Sequence, residues 1–317
     1  MKLAFVFPGQ GSQYVGMGQA LAQAFPAARA ALDEADAAVG GGLRKLMFEG
    51  PEEDLRKTAN TQPAILAASL AAHRALLKEA GGAFQFPAFY AGHSLGEYSA
   101  LVAAGAMSLR DGVRAVRARG TFMQEAVPAG EGAMAAILGL EPAQVKEACA
   151  EARAQEPGKV VEPANYNSPE QTVIAGHASA VDRAIAIAKA KGAKRALPLP
   201  VSAPFHCPLM APAQPRLAEV LGTVQIRQPN APVIANATAE ANTDPAQIVP
   251  LLLTQVTAPV RWVETVQRMA LSGVDTLIEL GPGKVLTGLT RRIDKGLRAY
   301  PLEDPAGLAT VLREVFK

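Results

Sequence analysis

The chain has 317 residues, 49% of them hydrophobic and 19% charged. That is enough for one large domain or two of ordinary size, and too apolar for intrinsic disorder. Lys and Arg number 31 against 29 Asp and Glu, a formal charge of +2, too balanced for a protein that works by neutralising a phosphate backbone. Aromatic residues make up only 5%, with Trp262 the sole tryptophan, so base-stacking surfaces are scarce and no nucleic-acid partner is expected.

Cys149 and Cys207 lie far apart and have no neighbours at metal-ligand spacing. Neither a metal site nor a disulfide framework is expected, and a reducing, cytoplasmic setting fits best. The apolar run at residues 3–7 stops at Pro8-Gly9, short of the apolar core of a signal peptide. The longest apolar stretch, residues 64–77, is interrupted by Ser69, His73 and Arg74, whereas a membrane span needs about 20 apolar residues. No membrane association is expected.

Residues 3–7 read as a first buried strand, followed along the chain by strands at 88–91, 233–236, 276–280 and 299–302. Residues 61–79, 95–104, 110–125 and 260–271 carry apolar side chains at helical spacing. This alternation predicts an α/β fold with a mostly parallel sheet covered by helices. After the breaker Pro128-Ala129-Gly130 the pattern changes: strand 134–138, helix 142–152, strands 160–165 and 171–175, helix 178–191 and strand 193–199. That β-α-β-β-α-β order is ferredoxin-like. The expected organisation is an α/β, hydrolase-like core formed by residues 1–127 and 199–317, interrupted by a small ferredoxin-like α+β subdomain at 128–198.

Gly92-His93-Ser94-Leu95-Gly96 is a G-x-S-x-G sequence between a predicted strand and a predicted helix. A serine there sits at a strained, exposed turn that only flanking glycines allow, and the following N–H, from Leu95, faces a reacting carbonyl. A serine N-cap in a glycine turn is the plainer alternative.

Such a nucleophile needs a base, and the chain has four histidines: His73, His93, His177 and His206. His73 lies within a predicted helix, His177 begins another, and His93 adjoins Ser94 in a sharp turn that points it away. His206 lies in the proline-bracketed loop Ser202-Ala203-Pro204-Phe205-His206-Cys207-Pro208, suited to holding an imidazole rigidly. An ordinary lipase or esterase places its histidine late in the chain, and here none follows His206. Nucleotide-binding loops fare no better: Gly9-Gln10-Gly11 is followed by Tyr14 where G-x-G-x-x-G requires glycine, and Gly16 by Met17 where a phosphate-binding loop requires lysine.

Five segments occur together in one order: Phe7-Pro8-Gly9-Gln10-Gly11-Ser12-Gln13, Gly92-His93-Ser94-Leu95-Gly96-Glu97, Arg119-Gly120 with Met123, Ala203-Pro204-Phe205-His206, and Gln255-Val256-Thr257 before Pro259-Val260-Arg261-Trp262. In this the chain resembles, over essentially its whole length, the malonyl-CoA:acyl-carrier-protein transacylases of fatty-acid synthesis. The resemblance implies Ser94 as nucleophile, His206 as acid and base, Gln255 orienting His206 through its backbone carbonyl, and the N–H groups of Gln10 and Leu95 as the oxyanion hole. It also implies Arg119 gripping the malonyl carboxylate, for which a planar fork of donors is well suited, with Phe205, Met123 and Asn165 at the substrate. Read alone, Arg119 shares a helix with Arg114 and Arg117, and Asn165 is a turn residue.

The expected partners are malonyl-CoA and acyl carrier protein, with no metal or redox cofactor. Basic clusters at Lys189, Lys191, Lys194 and Arg195, and at Lys284, Arg291 and Arg292, are candidates for steering an acidic carrier. The alternatives are an acyltransferase serving a polyketide synthase, a thioester hydrolase, and a non-catalytic carrier-binding scaffold.

Overall fold

The structure, a computed structural model, describes residues 1–201 and 203–316. Ser202, counted above with the histidine loop, lies outside the described residues. The strands are β1 (Leu3–Phe7), β2 (Phe89–Gly92), β3 (Gly132–Leu138), β4 (Val161–Ser168), β5 (Gln171–His177), β6 (Arg195–Pro198), β7 (Val233–Ile234), β8 (Ala241–Asn242), β9 (Thr276–Leu280) and β10 (Arg298–Leu302).

The larger sheet has the order β10-β9-β1-β2-β7-β8, parallel throughout except for β7 against β8. β1 lies near its middle, and its five residues are all buried. A parallel strand covered on both faces needs an unbroken apolar run, which Leu3-Ala4-Phe5-Val6-Phe7 supplies. Because side chains alternate across a strand, Leu3, Phe5 and Phe7 enter one core and Ala4 and Val6 another. On the first face lies the helix Thr58–Ala80, whose Ala64, Ala67, Ala71 and Ala75 are wholly buried. On the second, Trp262, Val266 and Met269 of the helix Trp262–Leu271 pack with Leu286 and Leu289 of the helix Val285–Ile293.

The smaller sheet is antiparallel, in the order β4-β5-β3-β6. Two helices, Pro142–Gln155 and Ala178–Ala190, cover it, with Ile137, Val145, Cys149, Ile174 and Val181 between the layers. This is the ferredoxin-like arrangement expected from the element order. The small sheet meets the core where Asn165 of β4 forms an isolated parallel bridge with Val260, which lies just before the helix Trp262–Leu271; the bridge is carried by Tyr166 N–H to Val260 O and Val260 N–H to Ala164 O, both at 2.9 Å.

The strand expected at 233–236 stops at Ile234. Asn236 turns its backbone and side chain toward Glu97, Gly92 and Ser94 instead, and Ala239, at φ 56°, returns the chain into the hairpin strand β8. Helices Pro26–Ala38, Ala213–Leu221 and Pro305–Val315 lie in segments to which the sequence reading assigned no element. Among the described residues no helix is long and apolar enough to cross a membrane.

Candidate active site

β2 ends at Gly92 and the helix Gly96–Ala103 starts four residues on, so the chain must turn sharply at Ser94. Ser94 adopts φ 54°, a left-handed conformation that costs a residue with a side chain about 1–3 kcal/mol and persists only where the surroundings enforce it. The turn closes because the flanking positions lack side chains. A Cβ on Gly92 would lie 1.9 Å from Gly96 O, and one on Gly96 would lie 2.2 Å from Phe7 O.

His206 reaches the serine from the loop that follows the small sheet, and it too has a positive φ, 60°. Its Nε2 lies 2.7 Å from Ser94 Oγ, and its Nδ1 lies 2.9 Å from the backbone carbonyl of Gln255. A carbonyl oxygen can only accept, so Nδ1 carries the imidazole proton and the lone pair of Nε2 faces the serine hydroxyl. Burial, and next the positive Arg119, push the His206 pKa down to about 3. The ring is therefore a neutral acceptor at physiological pH.

Arg119 is 1% exposed. It comes from the helix Leu109–Glu125, which approaches the helix Thr58–Ala80 so closely that a Cβ on Gly120 would lie 2.6 Å from Thr58 O. Its Nη1 donates to Gln62 Oε1 at 2.9 Å, and its Nη2 donates to Gln255 Oε1 at 2.9 Å and to Ser94 Oγ at 3.2 Å. The guanidinium carbon stands 5.7 Å from the Tyr98 ring centre. Arg119 Nε has no hydrogen-bond partner among the described residues. Burial lowers the pKa of this guanidinium, which retains its charge because arginine starts so high. The cation thus faces the serine with donor capacity to spare.

A cavity of about 100 Å3 opens over these groups, lined by Gln10, Ser94, Leu95, Arg119, Asn165, Phe205 and His206, with Gln62, His93 and Met134 also on its wall. The backbone N–H groups of Gln10 and Leu95 find no acceptor among the described residues. Asn165 also lines an adjoining cavity of about 210 Å3 that runs along the small sheet past Asn167 and Gln171. Met123 is placed elsewhere: it is 1% exposed, packs in the main core and does not line either cavity. The resemblance put Met123 at the substrate; in the structure it packs among the apolar residues of the main core.

Four residues in this network carried no role in the sequence reading. Asn236 Oδ1 accepts the Ser94 N–H at 2.7 Å, and Gln62 holds Arg119. Glu97, 3% exposed, accepts from Asn236 N and Gln255 Nε2. His93, set aside as pointing away from Ser94, lines the cavity beside it and bonds Asn167 Oδ1 at 2.8 Å through Nε2. The only sequence signal for Glu97 was its place directly after the second glycine of G-x-S-x-G. Gln62 and Asn236 gave none beyond being polar residues in apolar segments.

A hydroxyl bonded to a neutral imidazole, beside free N–H donors and a buried cation, is suited to accepting and releasing an acyl group that carries a negative charge. The chain is an acyltransferase: it belongs to the acyl transferase domain family, whose model matches residues 4–311. It is 51% identical over 311 residues to the malonyl CoA-acyl carrier protein transacylase of Escherichia coli (strain K12), covering 98% of this chain and 99% of that protein. Among solved structures, the malonyl CoA-acyl carrier protein transacylase of Coxiella burnetii superposes with a TM-score of 0.95 at 44% identity, over 100% of this chain and 98% of that one. A malonyl-transacylase solved in complex with its type II PKS acyl-carrier protein gives a TM-score of 0.94 at 48% identity, over 99% of each chain.

Proposed function

We propose that the protein transfers a malonyl group from malonyl-CoA to the pantetheine thiol of an acyl carrier protein, by way of an ester on Ser94, and so supplies fatty-acid synthesis. The observation that carries this reading is the hydrogen-bonded line Ser94 Oγ, His206 and Gln255 O, with Arg119 at 3.2 Å from the same oxygen. The similarity to malonyl transacylases over nearly the whole chain supports the choice of acyl group and acceptor.

In the first half-reaction His206 Nε2 takes the Ser94 proton as Oγ attacks the thioester carbonyl. The N–H groups of Gln10 and Leu95 receive the developing oxyanion. The carbon–sulfur bond then breaks, and CoA departs with the proton held by His206. In the second half, His206 takes the proton of the carrier thiol, sulfur attacks the ester, and Ser94 leaves with that proton. One acyl bond is exchanged for another in each half, so no oxidant is consumed. Arg119 meets the malonyl carboxylate, while Phe205 and Asn165 shape the space around the acyl chain.

The cleft is bounded by the core, residues 1–127 and 199–317, and the small subdomain at 128–198, which we take as the two structural units. Two buried unpaired cysteines accord with action in the cytoplasm. A polyketide carrier is the second reading, favoured by the similarity to the transacylase solved with a type II PKS carrier. The test is intact-protein mass after brief incubation with malonyl-CoA, acetyl-CoA and methylmalonyl-CoA in parallel, followed by addition of each purified carrier. A malonyl adduct on the wild type that is absent from Ser94→Ala and is discharged by carrier is the expected result. An adduct that persists on Ser94→Ala overturns it.

A further inference from the structure

Ser94 is held at both of its peptide groups by side chains from distant parts of the chain. Its N–H donates to Asn236 Oδ1 at 2.7 Å, and its carbonyl accepts from Gln255 Nε2 at 2.9 Å. Asn236 and Gln255 are themselves held by one atom. Glu97 Oε2 accepts the Asn236 backbone N–H at 2.9 Å and Gln255 Nε2 at 2.8 Å. Asn236 is tied further by Nδ2 donating to Gly92 O at 2.7 Å, on the residue where the turn begins.

We infer that Glu97 is a positioning residue for the transfer reaction: its Oε2, shared by Asn236 and Gln255, fixes the Ser94 backbone from both sides and sets the orientation of the Gln255 amide. The inference rests on the reading that Ser94 takes the acyl group.

Chemistry decides the orientation. An acceptor oxygen at Glu97 requires the NH2 end of the Gln255 amide to face it, as does the Ser94 carbonyl. The amide oxygen must then point the other way, where it receives Arg119 Nη2 at 2.9 Å. If the amide turned over, an NH2 group would face a guanidinium and a carbonyl would face a carboxylate, leaving donors opposed to donors. The Gln255 side chain therefore relays the position of Glu97 to Arg119, while its backbone carbonyl receives His206 Nδ1. Interposing a neutral amide also keeps the carboxylate from occupying the Arg119 fork, which stays open toward the cavity. Glu97 makes no hydrogen bond to Ser94 Oγ, His206 or Arg119 among the described residues, so it acts through its two amide partners. Burial pushes its carboxyl up to about 7. Protonation on the second oxygen leaves Oε2 able to accept, so the brace depends on the acceptor atom rather than on full charge.

The experiment measures kcat and KM for malonyl-CoA in the full-length wild type, Glu97→Ala, Glu97→Gln, Asn236→Ala and the Glu97→Ala/Asn236→Ala double variant. Glu97→Ala is expected to lower kcat at least tenfold while KM moves less than about threefold, because the loss falls on reactive geometry rather than on CoA binding. Glu97→Gln, which keeps an acceptor oxygen at the same reach, is expected to restore kcat to within about fivefold of wild type. Asn236→Ala should resemble Glu97→Ala, and the double variant should lose much less than the product of the two single losses, as members of one network do.

Wild-type kcat in Glu97→Ala or in Asn236→Ala, or a loss beyond tenfold in Glu97→Gln, overturns the inference. If Glu97→Ala does not accumulate as folded protein, the Gln and Asn236 variants decide alone. Ser94→Ala run beside them separates the two readings. A malonyl adduct on that variant overturns the proposed function, whereas acylation confined to Ser94 with unaltered kcat in the Glu97 and Asn236 variants overturns only the role of Glu97.

Discussion

Arg119 donates to Ser94 Oγ at 3.2 Å, and its other side-chain partners, Gln62 and Gln255, are neutral amides. An incoming carboxylate therefore meets a buried cation with no anionic partner to displace. Losing one member of a buried, hydrogen-bonded charge pair costs about 2–5 kcal/mol, or roughly thirtyfold to several thousandfold. Arg119→Ala should lower kcat/KM for malonyl-CoA by that range while acetyl-CoA holds steady or gains. Arg119→Lys should recover only part, since an ammonium lacks the paired donors. Measuring kcat/KM for both thioesters in the three proteins checks this, and an equal fall for both substrates assigns Arg119 to the fold or the general catalytic geometry instead.

His206 gives a prediction in pH. Its folded pKa of about 3 lies far below the ordinary histidine value, so the base stays neutral and competent well into the acid range. The acid limb of kcat/KM for Ser94 acylation should fall below pH 5, not near 6.5, and a limb at 6.5 would show that the imidazole is better solvated than its burial implies. His206→Ala should lower turnover by about a hundredfold to ten-thousandfold. Stability follows the same group. The unfolded chain binds the proton at about 6.5 and the native chain only near 3, so between those values the unfolded state holds more protons and stability falls as pH falls. His73, lowered to about 4 by burial, adds to this in the same direction. Urea midpoints measured from pH 7.5 down to 4 report the loss.

Gly96→Ala tests the turn itself. The added carbon would lie 2.2 Å from Phe7 O and 2.9 Å from Pro8 O, both backbone atoms that cannot swing aside. The variant should be destabilised by about 3 kcal/mol or more, at or above the usual range for overpacking. A Tm within two or three degrees of wild type would mean that the strand and helix can separate.

Phe205, 8% exposed, lines the cavity next to His206. One methyl group in a confined site is worth about 1–3 kcal/mol, so Phe205→Ser should raise the methylmalonyl-CoA to malonyl-CoA ratio in kcat/KM about tenfold or more. An unchanged ratio places the selection elsewhere on the cavity wall.

Of the basic residues considered for carrier steering, Lys191 is engaged by Glu151 at 2.6 Å, while Lys194, Arg195 and Arg292 share the wall of a cavity of about 490 Å3, where Lys194 lies 3.9 Å from Glu170 and Arg292 donates to Gln171 at 3.2 Å. If these three draw in an acidic carrier, added salt should slow the second half-reaction more than the first. Equal salt sensitivity of the two halves removes them from that role.

Ser94 and His206 are legible in the sequence because their signals are local: a glycine-flanked serine between a strand and a helix, and a histidine held between prolines. β1 and β9 are legible for the same reason, as their apolar runs match the observed Leu3–Phe7 and Thr276–Leu280. Asn236 is not legible, because its meaning comes from meeting Ser94 across 142 positions, and nothing near it in the chain records that meeting. Its detachment from β7 also explains why the strand expected at 233–236 ends early: a residue drawn out of the ladder to serve the turn cannot also extend the strand. The Val285–Ile293 helix is hidden similarly, since its first turn is held by Glu279, which accepts from Leu286 N and Thr287 N at 3.0 and 2.7 Å from the end of β9. Met123, placed at the substrate by the resemblance alone, packs in the main core and lines neither cavity.

The four strands of the small sheet come from one unbroken stretch of chain, and β3 and β6, where it enters and leaves, run side by side from Ala135↔Pro198 to Leu138↔Arg195. Such a piece is a cassette with adjacent ends. It contributes Met134, Asn165 and Asn167 to the walls of the cleft but neither Ser94, His206 nor Arg119. Exchanging it between relatives would alter that side of the cavity while Ser94, His206, Arg119 and Phe205 stay on their original scaffold, so one wall can vary without moving the other.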